Sequence, residues 1–326
     1  MNLMALIATL CVSVGKIGTN AFAPSAIPSR IYLSMKPGNG KYFIRASSRQ
    51  AVSEGTDAQT GVSEYNTDYP RSERPSLDLT ETVYRSTMKS PKDAYVAFAE
   101  KGASNARMSK KKILHQSILG GCYVGFGGLL SLSIAGNMAG ISAANPGLSK
   151  FAFAALFPVD LLLIVTTGGQ LFTGNSATVA AAKFEKLIST HQLVRNWGTS
   201  IVGNIIGCGL FALAANYVGL LQGGTAALAQ STAMAKCSAA FGPTILKAVL
   251  CNWMVGMAVF LAGASNSLTG KLVGCWFPIS LFVGIGLEHS VANMFILAAA
   301  MLSGVPIGLN TVIFKNLIPV LIGNGK

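Results

Sequence analysis

The chain has 326 residues, 51% of them hydrophobic and only 11% charged, with a formal net charge of +13 and a mean hydropathy of +0.50. A soluble domain carries about 25% charged residues, so the composition argues against a water-soluble globule. Nor does the positive balance point to nucleic acid: nine of the twelve acids fall in the first hundred residues, and beyond them fourteen Lys/Arg face only Asp160, Glu185 and Glu288, the pattern of an acid-poor membrane protein that handles anions.

In chain order, residues 1–23 read as a signal-like segment. Residues 3–15 form an apolar run too short to span comfortably, and Ala21-Phe22-Ala23 offers small residues for cleavage, although Lys16 follows the run instead of preceding it. Residues 24–53 hold five Lys/Arg, six Ser and no acid, a composition like that of an organelle transit peptide. The pair resembles the bipartite presequences of complex plastids, with Phe22 beginning the transit part; an ordinary secretory signal with a polar tail is the alternative. Residues 54–106 read as a polar linker, with Pro70, Pro75 and Pro91 and a short amphipathic stretch near Ala94–Glu100.

A transmembrane transport domain is expected over 107–326. Five apolar segments, near 113–141, 151–182, 194–221, 244–264 and 272–302, reach the roughly 20 residues that a spanning helix needs. The second is interrupted at Thr166-Thr167-Gly168-Gly169-Gln170 and the fifth at Gly284-Ile285-Gly286-Leu287-Glu288-His289. Irregular backbone at membrane depth is tolerated only where protein buries it or a cavity hydrates it, so paired breaks predict a transport pathway. The pattern N-x6-G-N at Asn196–Asn204 returns at Asn316–Asn324, 120 residues later. Repeat one (113–221) and repeat two (244–324) would each hold three spans, an odd number, and so insert in opposite orientations. Eight positive charges flank one side (Arg107, Lys110, Lys111, Lys112, Lys183, Lys186, Arg195, Lys271), against Lys150, Lys236 and Lys315 on the other. The positive-inside rule then places the N-terminus on the cytoplasmic or stromal side. Thr311 to Asn324 is only 14 residues, with Lys315 inside it; either the chain is truncated or its last helix ends halfway, and truncation is the expectation.

Several ordered motifs carry a family resemblance over roughly residues 90 to 324. They are Leu171-Phe172-Thr173-Gly174-Asn175, Lys247 through Asn252-Trp253-Met254-Val255, Leu287-Glu288-His289-Ser290-Val291-Ala292-Asn293-Met294, and Asn316-Leu317-Ile318-Pro319-Val320 with Ile322-Gly323-Asn324. In these the chain resembles the formate/nitrite transporter family, and within it the plastid-targeted nitrite transporters. The resemblance implies an all-α, aquaporin-like fold of three plus three transmembrane helices, assembled as homopentamers with a pore in each protomer. The implied substrates are small monovalent anions: formate, nitrite, hydrosulfide, lactate and relatives.

It also implies roles. Leu171, Phe172 and Thr173 would form the loop of the second span, Thr173 facing a central histidine, His289, which Asn252 would orient. Phe157 and Leu161 would constrict the cytoplasmic-type side, Val255 and Phe282 the opposite one. Lys247 would draw anions toward the outer vestibule, and Asn324 would be a second amide near the histidine. Family members usually carry an acid before Leu-Phe-Thr, where this chain has Gln170; Asp160 matches no family role.

These residue types suit anion passage. A bare charge at the bilayer centre costs at least about 2.5 kcal/mol, so an apolar slit rejects hydrated ions, whereas a weak-acid anion can take a proton and cross neutral. Histidine, with an unperturbed pKa of about 6.5, is the side chain able to exchange that proton near neutrality. Glu288 reads as a partner of the broken backbone or of a cation. The six cysteines lie singly and form neither a zinc spacing nor a disulfide framework, and no nucleophile–base–orienter set or GxxxxGK[ST] loop appears. The expectation is therefore a transporter without a cofactor, not an enzyme or an ATP-driven pump, with anions, protons, membrane lipid and copies of itself as partners. Nitrite is favoured from the plastid address alone. Formate or another small weak-acid anion is the alternative, as is a transport-inactive truncated subunit.

Overall fold

The structure is a computed structural model that describes residues 88–326. The signal-like segment 1–23, the transit-like segment 24–53 and residues 54–87 of the predicted linker lie outside the described residues. Within them the chain is helical, with a lone bridge between Met88 and Ser265 as its only extended pairing.

The amphipathic stretch proves to be a longer helix, α1 (Pro91–Arg107), started by Ser90, whose hydroxyl accepts from the Asp93 N–H, and by Pro91 in its first turn. Its small residues Ala94, Ala99, Ala103 and Ala106 are buried. After Ser109, a second serine cap, α2 (Lys110–Gly136) runs unbroken for 27 residues, about 40 Å at 1.5 Å per residue. The short α3 (Ala139–Ala144) leads to α4 (Pro146–Leu156) and α5 (Val159–Thr167), which meet at Phe157-Pro158. There the chain stops at Gly168, whose φ of 82° is left-handed and suits glycine. It restarts as α6 (Phe172–Phe184). A capping box of Ser189 and Gln192 opens α7 (Thr190–Tyr217).

The second half retraces these steps. Gly223–Ser238, between the two predicted repeats, is a helix, α8; its Ala/Ser/Thr composition gives a weak hydrophobic signal. α9 (Phe241–Ala264) and α10 (Leu268–Ile285) follow, and α10 ends at Gly286, φ 80°. α11 (Ser290–Leu302) resumes after the break, with His289 as its N-cap. The final segment is continuous: α12 (Leu309–Thr311), a π-helical stretch (Val312–Leu317) and α13 (Ile318–Asn324). Pro319 has no N–H to close an α turn, and the chain widens just before it. Among the described residues five segments are long and apolar enough to cross a membrane: Lys110–Gly136, Pro146–Thr167, Thr190–Tyr217, Phe241–Ala264 and Leu268–Ile285.

The repeated N-x6-G-N pattern acquires a physical reason here. A Cβ on Gly203 would overlap Ser117 and crowd the Leu114 carbonyl of α2, and one on Gly323 would overlap Ala248 and the Ile245 carbonyl of α9. Each glycine lets two helices touch backbone to backbone, and each neighbouring asparagine then reaches a break. The Asn204 amide donates to Ser117 O (2.8 Å) and Gln170 O (3.0 Å), while its oxygen accepts from the Phe172 N–H (2.9 Å). Asn324 does the same with Ala248 O (2.7 Å), Glu288 O (3.1 Å) and the Ser290 N–H (2.7 Å). The breaks are therefore pinned rather than loose, because their freed backbone groups are satisfied.

Candidate functional site

The two breaks bring Thr173 and His289 together. Thr173 sits in the first turn of α6 and His289 at the cap of α11; both are buried, and the threonine hydroxyl lies 2.8 Å from His289 Nε2. The other ring nitrogen, Nδ1, accepts from the Ala292 N–H at 3.0 Å. A backbone donor can only meet an unprotonated nitrogen, so the ring is held neutral with its proton on Nε2, donated to Thr173. Phe282 stacks on the imidazole, with ring centroids 5.5 Å apart and planes 26° from parallel.

A cavity approaches this pair from each end of the bundle. One, of about 310 Å³, opens where α10 begins and is lined by Leu161, Leu171, Val259, Asn105, Lys101 and Lys271. The other, of about 360 Å³, opens where α4 begins; His289, Phe157, Phe282, Lys150 and Lys236 are among its walls. Thr173 is flanked by Gly174, on the first cavity, and bonded to His289, on the second, so their hydrogen bond joins the two walls.

The constriction residues are distributed differently from the expectation. Leu161 pairs with Leu171 on the first cavity and Phe157 with Phe282 on the second. Phe157, at the junction of α4 and α5, and Leu161 are four residues apart, about 6 Å at 1.5 Å per residue, which is enough to put them on opposite sides of a thin barrier. Val255 is fully buried in the core and lines neither cavity; Val259, one turn further along α9, lines the first.

The expected polar roles also divide. Asn252 does not reach the histidine: its amide donates to Ser176 Oγ (2.9 Å), which donates to the Thr173 carbonyl (2.8 Å). It steadies the turn that carries Thr173, and its Oδ1 has no partner among the described residues. Asn324 braces the backbone on both sides of His289 instead of meeting the ring. Phe172 turns from the cavities and meets Trp197 edge-on, with centroids 6.1 Å apart. Lys247 stands exposed on α9 and lines neither cavity. The lysine beside the histidine is Lys236 of α8, bonded to Glu288 Oε2 at 3.0 Å. The same oxygen accepts from Asn293 (2.7 Å) and Asn316 (3.3 Å). Sequence reasoning missed Lys236 because α8 was not recognised as an element; Val259 was findable as the i+4 neighbour of Val255. Among the described residues no cluster of His, Cys, Asp and Glu could hold a metal.

The sequence profile of the family "Formate/nitrite transporter" matches residues 92–325. The chain belongs to the formate/nitrite transporter family. A probable formate transporter of Methanothermobacter thermautotrophicus is 38% identical over 256 residues, 73% of this chain and 92% of its own. Formate-nitrite transporter 3 of Toxoplasma gondii is 36% identical over 238 residues, 71% of this chain and 48% of its own. A formate channel of Bacillus thuringiensis is 32% identical, over 69% of this chain and 85% of its own. Among solved structures, an ion channel of the family superposes with a TM-score of 0.66 at 27% identity, over 72% of this chain and 93% of the other. A pentameric formate channel with formate bound shares the fold, with a TM-score of 0.57 at 23% identity, over the same shares. The protein is thus an integral membrane transporter of the formate/nitrite transporter family and not an enzyme, with the aquaporin-like helical fold of that family.

Proposed function

We propose that the protein conducts small monovalent anions through a histidine-centred pore, by passive or proton-coupled transport, and that nitrite entering a plastid is its main cargo. The observation that carries this reading is the Thr173–His289 hydrogen bond standing between two cavities that each carry lysines. An anion gathers at a lysine-bearing mouth and meets an apolar ring, Leu161 with Leu171 at one end or Phe157 with Phe282 at the other. Protonating His289 on Nδ1 sacrifices the Ala292 bond, a loss of order 1–3 kcal/mol for a buried donor. The imidazolium therefore forms only when an arriving negative charge offsets that loss. One proton, drawn from water at the mouth, passes through the imidazole to the anion and leaves the histidine in its Nε2-protonated form. The neutral acid crosses the apolar constriction and returns that proton to water on the far side. Glu288, held by Lys236, stays a structural anion and fixes the break.

The plastid destination and a stromal or cytoplasmic N-terminus rest on residues 1–53 and on the clustering of Lys and Arg at one end of the bundle. A homopentamer is proposed from the pentameric relative. Formate is the second reading, favoured by the formate transporter and formate channel among the relatives. The test is uptake of nitrite and of formate by protein in liposomes carrying an internal pH dye. Wild-type protein should carry both, and His289→Phe should lower flux at least about tenfold, the scale of one lost buried polar partner. Undiminished flux in that variant would reject the histidine mechanism; a lumen that acidifies with the anion marks proton coupling.

A further inference from the structure

The hydrogen bonds around the two breaks follow a shared scheme. The α6 and α11 asparagines hold the residue at the break, and Asn196 and Asn316 hold the carbonyl of the partner residue. The second half thereby supplies a template for a site in the first. In the second half Glu288 precedes the break's last residue and is held by Lys236 of α8 and by Asn293 of α11, while Asn316 donates to the Lys236 carbonyl (3.4 Å). In the first half the corresponding positions are Gln170, Asn105 of α1 and Asn175 of α6, and Asn196 donates to the Asn105 carbonyl (3.2 Å). The three side chains close a ring. Asn105 Nδ2 donates to Asn175 Oδ1 (3.0 Å), Asn175 Nδ2 to Gln170 Oε1 (2.8 Å), and Gln170 Nε2 to Asn105 Oδ1 (3.2 Å). All three residues are buried. α1 thus stands to the first break as α8 stands to the second, so each half includes the short helix that precedes its three spans.

We propose that Asn105 is a positioning residue for selectivity: through its ring with Gln170 and Asn175 it locks the break that carries Leu171, as an uncharged counterpart of Lys236 on Glu288. Within the ring each amide donates once and accepts once, and Asn175 donates again to Ser200 Oγ (3.0 Å), so the lock closes without any net charge. Leu171 follows Gln170 directly and lines the first cavity, so a shift of Gln170 moves the apolar ring there. The neutral lock has a second consequence. No carboxylate lines that cavity, so Lys101 and Lys271 meet no acid on its walls, Lys271 donating instead to the Ala262 carbonyl (3.2 Å), whereas Lys236 is paired with Glu288.

The ring predicts how charges may be exchanged. Asn105→Lys alone buries an ammonium without a counter-charge. Gln170→Glu alone sets a carboxylate oxygen against Asn105 Oδ1. Both together rebuild the arrangement of the second half. This inference rests on the transport reading, and the experiment separates the two. Fluxes of formate and of the larger lactate are measured in liposomes for wild type, Asn105→Lys, Gln170→Glu and the double variant, each checked for monodisperse elution. Each single variant should change the formate-to-lactate ratio at least about threefold, and the double variant should return it to within about twofold of wild type, the coupling expected of a buried pair. A loss of folded protein lowers both fluxes alike and leaves the ratio unmoved. Folded single variants with a wild-type ratio, or a double variant no closer to wild type than the singles, would overturn the proposal. Should the singles fail to fold, Asn105→Ala is read instead: a shifted ratio supports the lock and an unshifted one refutes it. Wild-type protein that carries none of nitrite, formate and lactate would refute the transport reading itself.

Discussion

At the residue scale, the imidazole of His289 is defined by its two partners more than by its burial. Ala292 holds Nδ1 as an acceptor, which leaves Thr173 to receive the Nε2 proton. Removing that acceptor strands a buried N–H, a loss of order 1–3 kcal/mol, and 1.4 kcal/mol is about a tenfold rate. Thr173→Val should therefore reduce formate flux about tenfold in liposomes, and Thr173→Ser, which keeps the hydroxyl, should recover most of it. Equal flux in valine and serine variants would remove Thr173 from the pathway.

At the element scale, α8 matters because it delivers one ammonium. Lys236 and Glu288 are mostly buried, with side-chain exposures of 17% and 7%. Taking one partner from such a pair costs about 3–5 kcal/mol, while replacing both by neutral residues is often tolerated. Glu288→Gln or Lys236→Met should lower the thermal midpoint in detergent by several degrees, and the double variant Lys236→Met with Glu288→Gln should regain most of the loss. If the double variant is as unstable as the worse single, the two residues do not act as a pair. The break and the flanking motif were legible in the sequence because glycines and an acid inside an apolar run contradict a simple span. The ammonium was not legible. Lys236 and Lys247 are equivalent as letters, and only the packing of α8 against the break tells them apart.

On the scale of the whole molecule, the outer surface remains apolar: Phe151, Trp253, Phe277 and Ile285 are all more than half exposed. Bands of this kind face lipid or a neighbouring copy. Light scattering of detergent-purified protein, corrected for bound detergent, should give five times the mass of the purified chain; a monomer mass would refute the pentamer. Inside, the two halves reuse one scheme, with left-handed glycines at Gly168 and Gly286 and the Asn204 and Asn324 pins. They differ in the chemistry of the lock, amides in one half and an ion pair in the other.

The amino-acid sequence alone determined the membrane setting, the two breaks, the inverted repeat and the presence of a histidine at the second break. Each is a local departure from a uniform apolar pattern, or a pattern that recurs, and such signals survive without coordinates. Tertiary structure decided which side chains share a cavity. It divided Phe157 from Leu161, placed Val255 in the core, turned Asn252 toward Ser176 and brought Asn105 to Gln170. Those outcomes depend on how far a turn of one helix lies from a break in another, and contact across 65 residues of chain leaves no trace in the local spacing of residues.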